Sequence, residues 1–222
     1  MTAQSARGLF RATGNKPKPT VRQNLDGSFE KVDAGLEREG DDFYPTPPEP
    51  IRALLHAELD RLRDFDVIWD PSAGDGALVR EMQAVGLEVI ASDLIDRGVG
   101  FPQADFYSFT KAPAMASVQN PPFGECGWGN GKARWLRHAL DTLELEYMAL
   151  LMNWGWPGAG GLGPFYAAHP PARVYLMRWK IDFTGQGAPP MLNAWFVFDK
   201  KWEGETVLRM LDRKDARQHE MF

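Results

Sequence analysis

Three features of the sequence predict a mainly parallel α/β sheet covered by helices, with an antiparallel hairpin near the C-terminus. Short apolar runs alternate with helix-period segments from residue 46 to about 200, which implies crossover connections and therefore parallel strands. Turns rich in Gly, Asp and Pro follow the strand-like runs, on the rim where an open α/β sheet collects its ligand-binding loops. Two β-rich runs, "RVYLMRW" (173–179) and "NAWFVFDK" (193–200), are joined by the Gly/Pro loop "FTGQGAPP" rather than by a helix, so they are expected to pair as an antiparallel hairpin at one edge of the sheet.

Residues 1–40 are rich in Gly, Pro, Lys and Arg with little apolar periodicity, and read as a flexible basic arm with a small hairpin around "NLDGSFEKV". A single folded domain is expected from residue 41 to 222. "TPPEPIRALLHAELDRLR" (46–63) opens on prolines suited to a first helical turn and continues with Ile51, Leu54, Leu55, Leu59 and Leu62 at helical spacing. "DVIWD" (66–70) predicts a buried strand, "ALVREMQAVG" (77–86) a helix stopped by glycine and "EVIASD" (88–93) a second strand. "ADF" (104–106) would end a short third strand and "ASVQN" (116–120) forms another. "KARWLRHALDTLE" (132–144) reads as a helix leading into the strand "YMALLMN" (147–153).

With 222 residues the chain can bury a full core. No apolar run approaches a membrane span and the N-terminus lacks the apolar stretch of a secretory signal, so a cytoplasmic protein is expected. One cysteine, Cys126, excludes an intrachain disulfide and a cysteine-based zinc site, and the four histidines form no short-spaced cluster. No metal is expected. The net charge of -5 argues against a nucleic-acid partner, but it is unevenly spread. Residues 1–31 carry six cations against two anions, +4, which leaves -9 for the rest. "GKARWLRH" (131–138) and "RVYLMRWK" (173–180) interleave cations with aromatic rings, as a single-strand or flipped-base surface does. Taken singly, they read as a solvated helix face and an edge strand.

"DPSAGDG" (70–76) puts Gly74 and Gly76 in a strand-to-helix turn where a ligand can approach the backbone. Position 79 is Val79 where a dinucleotide site wants a third glycine. Asp70 and Asp75 flank the turn and favour a cationic ligand over a pyrophosphate. Asp93, 17 positions beyond Gly76 at a strand end, suits both hydroxyls of a ribose, or serves as a turn former. Asp105 could accept from an adenine amino group. In "NPPF", Asn120 offers an amide oxygen, Pro121 and Pro122 supply carbonyls without N–H groups and Phe123 supplies a ring. The four residues suit a planar partner bearing an NH2 group, or equally form a strand end and a rigid turn. Trp154 and Trp156, in the loop "NWGWPGAGGLG", are positioned for base stacking or for packing. Cys126 reads as structural and His138 as a helix-surface residue.

"DPSAGDG", Asp93, Asp105 and "NPPF", in this order and preceded by "FYPTP" (43–47), resemble class I S-adenosylmethionine-dependent methyltransferases that act on exocyclic amino groups of nucleobases. Small phage and prophage DNA adenine-N6 methyltransferases are the nearest likeness. That resemblance implies a Rossmann-like, seven-stranded sheet, S-adenosylmethionine as cofactor, S-adenosylhomocysteine as product and DNA as partner. It implies cofactor contacts from Phe43, Tyr44, Thr46, Pro47, Asp70, Ser72, Gly74, Asp75, Gly76, Asp93, Asp105 and Asn120. Asn120, Pro121, Pro122 and Phe123 become the catalytic set, with Phe123, Trp154 and Trp156 facing the acceptor. Two departures stand out: no large target-recognition domain is visible, and the net charge is acidic. Methylation of RNA or of a protein glutamine amide is the alternative, and a non-catalytic relic the third reading.

Overall fold

In the computed structural model of the protein, the described residues are 20–23, 29–32, 45–127, 133–159, 161–183 and 191–216. Strands β1 (Thr20–Gln23) and β2 (Phe29–Val32) pair antiparallel, the small hairpin expected within the basic arm. The rest of the arm, with Phe43 and Tyr44, lies outside the described residues.

A seven-stranded sheet forms the body, in the order β4-β3-β5-β6-β8-β7-β9. Its strands are β3 (Ile68–Asp70), β4 (Val89–Ala91), β5 (Ala116–Gln119), β6 (Tyr147–Asn153), β7 (Arg173–Met177), β8 (Asn193–Asp199) and β9 (Val207–Leu211). β4, β3, β5 and β6 run parallel, and β8 lies antiparallel between β6 and β7. The hairpin of residues 173–177 and 193–199 is present as expected, but it is not the sheet edge. β9 pairs parallel to β7 beyond it. Sequence reading missed β9 because three of its five residues, Leu208, Arg209 and Met210, are exposed, so it lacks the two-residue alternation of a half-buried strand. The anticipated third strand is reduced to one parallel bridge, Asp93 to Gln103, and Phe106 instead opens a 3-10 turn.

Successive side chains of a strand face opposite ways, and both faces of this sheet are covered. Tyr147, Ala149 and Leu151 of β6 join one core; Met148, Leu150 and Met152 join the other. Helices α1 (Pro48–Leu62) and α2 (Ala77–Ala84) cover the first face. After the short helical turn α3 (Phe123–Cys126), α4 (Arg134–Arg137), widened into a π-helix over His138–Thr142, and α5 (Gly163–Ala168) cover the second.

α1 is docked by more than its apolar stripe. Glu58, on its buried side, accepts from Arg173 Nε at 2.6 Å and Nη2 at 2.9 Å, and from the hydroxyls of Tyr147 and Tyr175. Arg173 also reaches Asp199, which Arg61 of α1 holds from the other side. A carboxylate so deep in the fold is tolerated because every bond it receives is donated by a guanidinium or a phenol. The cation of "RVYLMRWK" at position 173 is therefore a buried structural group in an inner strand, where the sequence suggested a nucleic-acid surface or an edge.

Candidate active site

The loops that leave β3, β4 and β5 converge on a cavity of about 600 Å³. β3 delivers the glycine turn. Ser92 N–H donates to Asp70 O at 3.0 Å and Ala73 N–H to Ser92 O at 3.1 Å, which holds the turn beside the end of β4. Gly76 has φ +81°, a left-handed conformation that strains any other residue, and a Cβ there would stand 2.9 Å from the Phe101 ring, which would have to shift. Asp93 joins the two loops. Its Oδ2 accepts from Gly74 N–H at 2.7 Å and its Oδ1 from Ile95 N–H at 2.9 Å. Asp93 is thus the turn former the sequence suggested and also lines the cavity, and each of its carboxylate oxygens has a second lone pair to offer.

Asp75 and Asp105 also line the cavity, Asp105 as the N-cap of the 3-10 turn and Asp75 one residue before Gly76, the N-cap of α2. Asp75 Oδ1 accepts from Ala77 N–H at 3.1 Å, and Asp105 Oδ1 from Tyr107 N–H at 2.9 Å. Glu125 adds a fourth carboxylate to the wall. It accepts from the Tyr107 hydroxyl at 2.7 Å, while the Arg134 guanidinium lies over the Tyr107 ring at 3.7 Å. Burial pushes the Tyr107 phenol up, followed by its bond to Glu125, so it remains a donor to that carboxylate. Sequence reading did not single out this trio, because its members lie on three separate segments.

"NPPF" is placed by β5. Gln119, the last residue of that strand, is fully buried and accepts from the Trp135 indole N–H at 2.6 Å; Trp135 in turn stacks on Phe106 at 3.9 Å. At the next residue, Ser72 Oγ donates to the Asn120 carbonyl at 3.2 Å and Asn120 Nδ2 donates to Thr46 Oγ1 at 3.0 Å. Asn120 Oδ1 is buried and has no partner. Pro121, Pro122 and Phe123 continue the wall. Asn120 lines the cavity beside the half-buried ring of Phe123.

Several residues singled out from the sequence stand elsewhere. Asp70 is fully buried beneath the turn and does not line the cavity. Its Oδ1 accepts from Ser72 N–H at 3.2 Å and its Oδ2 has no partner. Burial raises its carboxyl to about 8, the Ser72 bond offsetting part of that rise and the charge of Asp93 adding to it. It is a mostly neutral acid at pH 7 and not a carboxylate offered to a cation. Gly76 shapes the turn from behind the wall, and Pro47 is the N-cap of α1, one residue beyond the lining pair Pro45 and Thr46. Trp156 is buried, donates from Nε1 to Cys126 O at 2.8 Å and meets the Phe196 and Tyr166 rings edge-on, so its ring is committed to the core. Trp154 is 38% exposed and does not line the cavity. His138 sits against the edges of Phe106 and Tyr107 and is half-buried, not out on the helix surface. Cys126 is fully buried.

Among the described residues, no group of three or more His, Cys, Asp or Glu is arranged to hold a metal ion, and no helix is long and apolar enough to cross a membrane. No family model and no curated protein sequence matches the chain. Solved structures do match. A candidate RNA methyltransferase from Pyrococcus horikoshii superposes with a TM-score of 0.54 at 17% identity, over 71% of this chain and 87% of its own. A candidate class I S-adenosylmethionine-dependent methyltransferase from Listeria monocytogenes superposes with a TM-score of 0.56 at 14% identity, over 82% of this chain and 69% of its own. The fold is the Rossmann-like fold of class I methyltransferases. The cavity then lies where that architecture binds its ligands, outside the carboxyl ends of the parallel strands.

Proposed function

We propose that the protein is an S-adenosylmethionine-dependent methyltransferase that acts on the exocyclic amino group of adenine in DNA, forming N6-methyladenine and S-adenosylhomocysteine. The observation that carries the reading is Asn120, which lines the cavity together with Pro121, Pro122 and Phe123 and whose Oδ1 is a buried acceptor without a partner.

The residues fit the cofactor. Asp75, Asp93 and Asp105 make the wall anionic, as a ligand with a sulfonium and an ammonium group requires. The glycine turn exposes backbone, Asp93 has lone pairs left for ribose hydroxyls, and Asp105 is an exposed acceptor within reach of an adenine amine. Thr46, Ser72 and Gly74 complete that side. When bound, the cofactor supplies a methyl group activated on its sulfonium.

The chain's task is orientation. An amine conjugated to an aromatic ring is a weak nucleophile, because its lone pair is delocalised into the ring. Asn120 Oδ1 and the Pro121 carbonyl accept its two hydrogens, which draws the nitrogen toward tetrahedral geometry and stabilises the positive charge that develops there. Phe123 stacks on the base, worth about 1–3 kcal/mol, and offsets part of the few kcal/mol needed to extrude a base from a duplex. The +4 arm supports a polyanionic partner. RNA is the second reading, favoured by the description of the Pyrococcus horikoshii structure as a candidate RNA methyltransferase.

The test is transfer from labelled cofactor to duplex DNA, RNA and protein offered in parallel. Label recovered as N6-methyladenine from DNA is the expected result; label only in RNA or protein rejects the DNA assignment. Asn120→Ala is expected to bind S-adenosylhomocysteine as the parent does and to lose about 10²–10³-fold in kcat, the range for removing one preorganised polar contact to a developing charge. An Asn120→Ala variant that turns over at the parent rate refutes the role given to "NPPF".

A further inference from the structure

β9 is the edge of the sheet opposite β4, and β7 is its only strand partner among the described residues. In a parallel ladder, alternate residues of a strand turn both N–H and C=O to the same neighbour. Two bonds fix the phase here: Val207 N–H donates to Ala172 O at 3.0 Å, and Leu211 O accepts from Arg178 N–H at 3.0 Å. The register runs unbroken from Arg173–Val207 to Met177–Leu211, so Val207, Arg209 and Leu211 bond inward to β7. Leu208 and Met210 therefore turn their backbone groups outward, away from the sheet.

The same two residues carry the exposed apolar surface of this edge. Leu208 is 49% and Met210 51% exposed, and they lie beside Val174 and Leu176 of β7 on the second face of the sheet. Arg209, also exposed, lies on the first face beside Tyr175. Sheet edges are commonly blunted by proline, lysine or a bulge, and β9 has none of these over its five residues. Such an edge accepts an extended strand, and the side chains of β9 suit its own copy. In a two-fold antiparallel pair, one residue meets itself at the axis. About Arg209, two guanidiniums would oppose each other at the closer cross-strand spacing, since this residue bonds inward. About Met210, Leu208 would face Asp212 of the second copy. About Leu208, the two Leu208 side chains meet, with Met210 of each copy diagonal to them. Arg209 then lies diagonal to Glu205 of the second copy, exposed two residues ahead of β9 and within reach of a long side chain. This register matches apolar groups on one face and opposite charges on the other.

We propose that β9 is a self-association edge: two copies of this chain pair their β9 strands antiparallel about Leu208 and join their sheets into one. The contact is independent of the reaction assigned to the cavity, because β9 contributes no residue to the cavity wall.

The test uses the full chain. Sedimentation and light scattering over a dilution series should show a monomer that becomes a dimer by about 100 µM, a concentration that even a weak specific contact saturates. Residue-resolved hydrogen exchange should show Leu208 and Met210 N–H protected in the dimer and released on dilution, with Val207, Arg209 and Leu211 protected in both. Leu208→Pro removes only an outward N–H, which an edge position tolerates, and should leave a monomer. Arg209→Glu should weaken the dimer about tenfold, and adding Glu205→Arg should restore it. A parent that stays monomeric throughout leaves the edge to some other partner and overturns the proposal. So does association that grows beyond two copies, because a two-fold contact closes at a dimer. A dimer that Leu208→Pro leaves intact overturns it as well. If the Leu208→Pro chain does not fold, the exposed Arg209→Glu decides, and a dimer unchanged by that substitution is equally fatal.

Discussion

Asp70→Asn should make the ligand-free protein more stable at high pH and change it little at low pH. Asp70 has no exposed surface, and one of its carboxyl oxygens has no partner. Burial, countered in part by the Ser72 N–H and reinforced by the Asp93 charge, raises it from 3.8 to about 8. Between those values the folded chain holds a proton that the unfolded chain has released. The contribution of Asp70 to stability is therefore complete below pH 3.8 and is lost as pH rises through about 8, at about 1.4 kcal/mol per pH unit. Across the whole window of about four pH units the loss is on the order of 5 kcal/mol, comparable to the entire stability of many domains. Asparagine is nearly isosteric and carries no charge to desolvate. Urea unfolding of both proteins from pH 4 to 9 reads the effect as a difference between two curves, in which all other titrations cancel. The difference should be near zero at pH 4 and grow to several kcal/mol by pH 9. A difference that does not change with pH would refute the reasoning.

Three further outcomes follow from the geometry. Asp93→Ala should weaken S-adenosylmethionine binding in calorimetry by more than about tenfold, since it removes ribose acceptors and also frees the Gly74 and Ile95 N–H groups; unchanged affinity would contradict its place in the site. Phe123→Ala should raise KM for DNA and retain more kcat at saturation than Asn120→Ala, because it removes stacking and keeps the acceptors; steady-state kinetics on both variants checks this. Glu58→Ala should cost about 3 kcal/mol in chemical denaturation, the low end for breaking a buried ion pair, because Asp199 still partners the Arg173 that remains.

What the sequence determined by itself is local. Apolar runs in "YMALLMN" and "NAWFVFDK" mark strands buried on both faces, prolines mark the start of α1, and Gly74 and Gly76 mark a turn that needs backbone conformations other residues avoid. These signals lie within windows of about ten residues or fewer, so element order, the parallel body of the sheet and the rim that carries "DPSAGDG", Asp93, Asp105 and "NPPF" were legible in the amino-acid sequence alone. β9 was not, because an edge strand with three exposed residues has no alternation to read. Contacts between distant residues were decided only by tertiary structure. The Asn120 side chain bonds to Thr46, 74 residues earlier, and the docking of α1 depends on Arg173, 115 residues beyond Glu58. Burial itself is a tertiary property: Asp70 and Trp156 look like ligand-facing residues in their loops, yet the sheet and its covering helices enclose both. A residue type states what chemistry is available, and only the packing around it decides whether that chemistry faces a ligand, a neighbour or nothing at all.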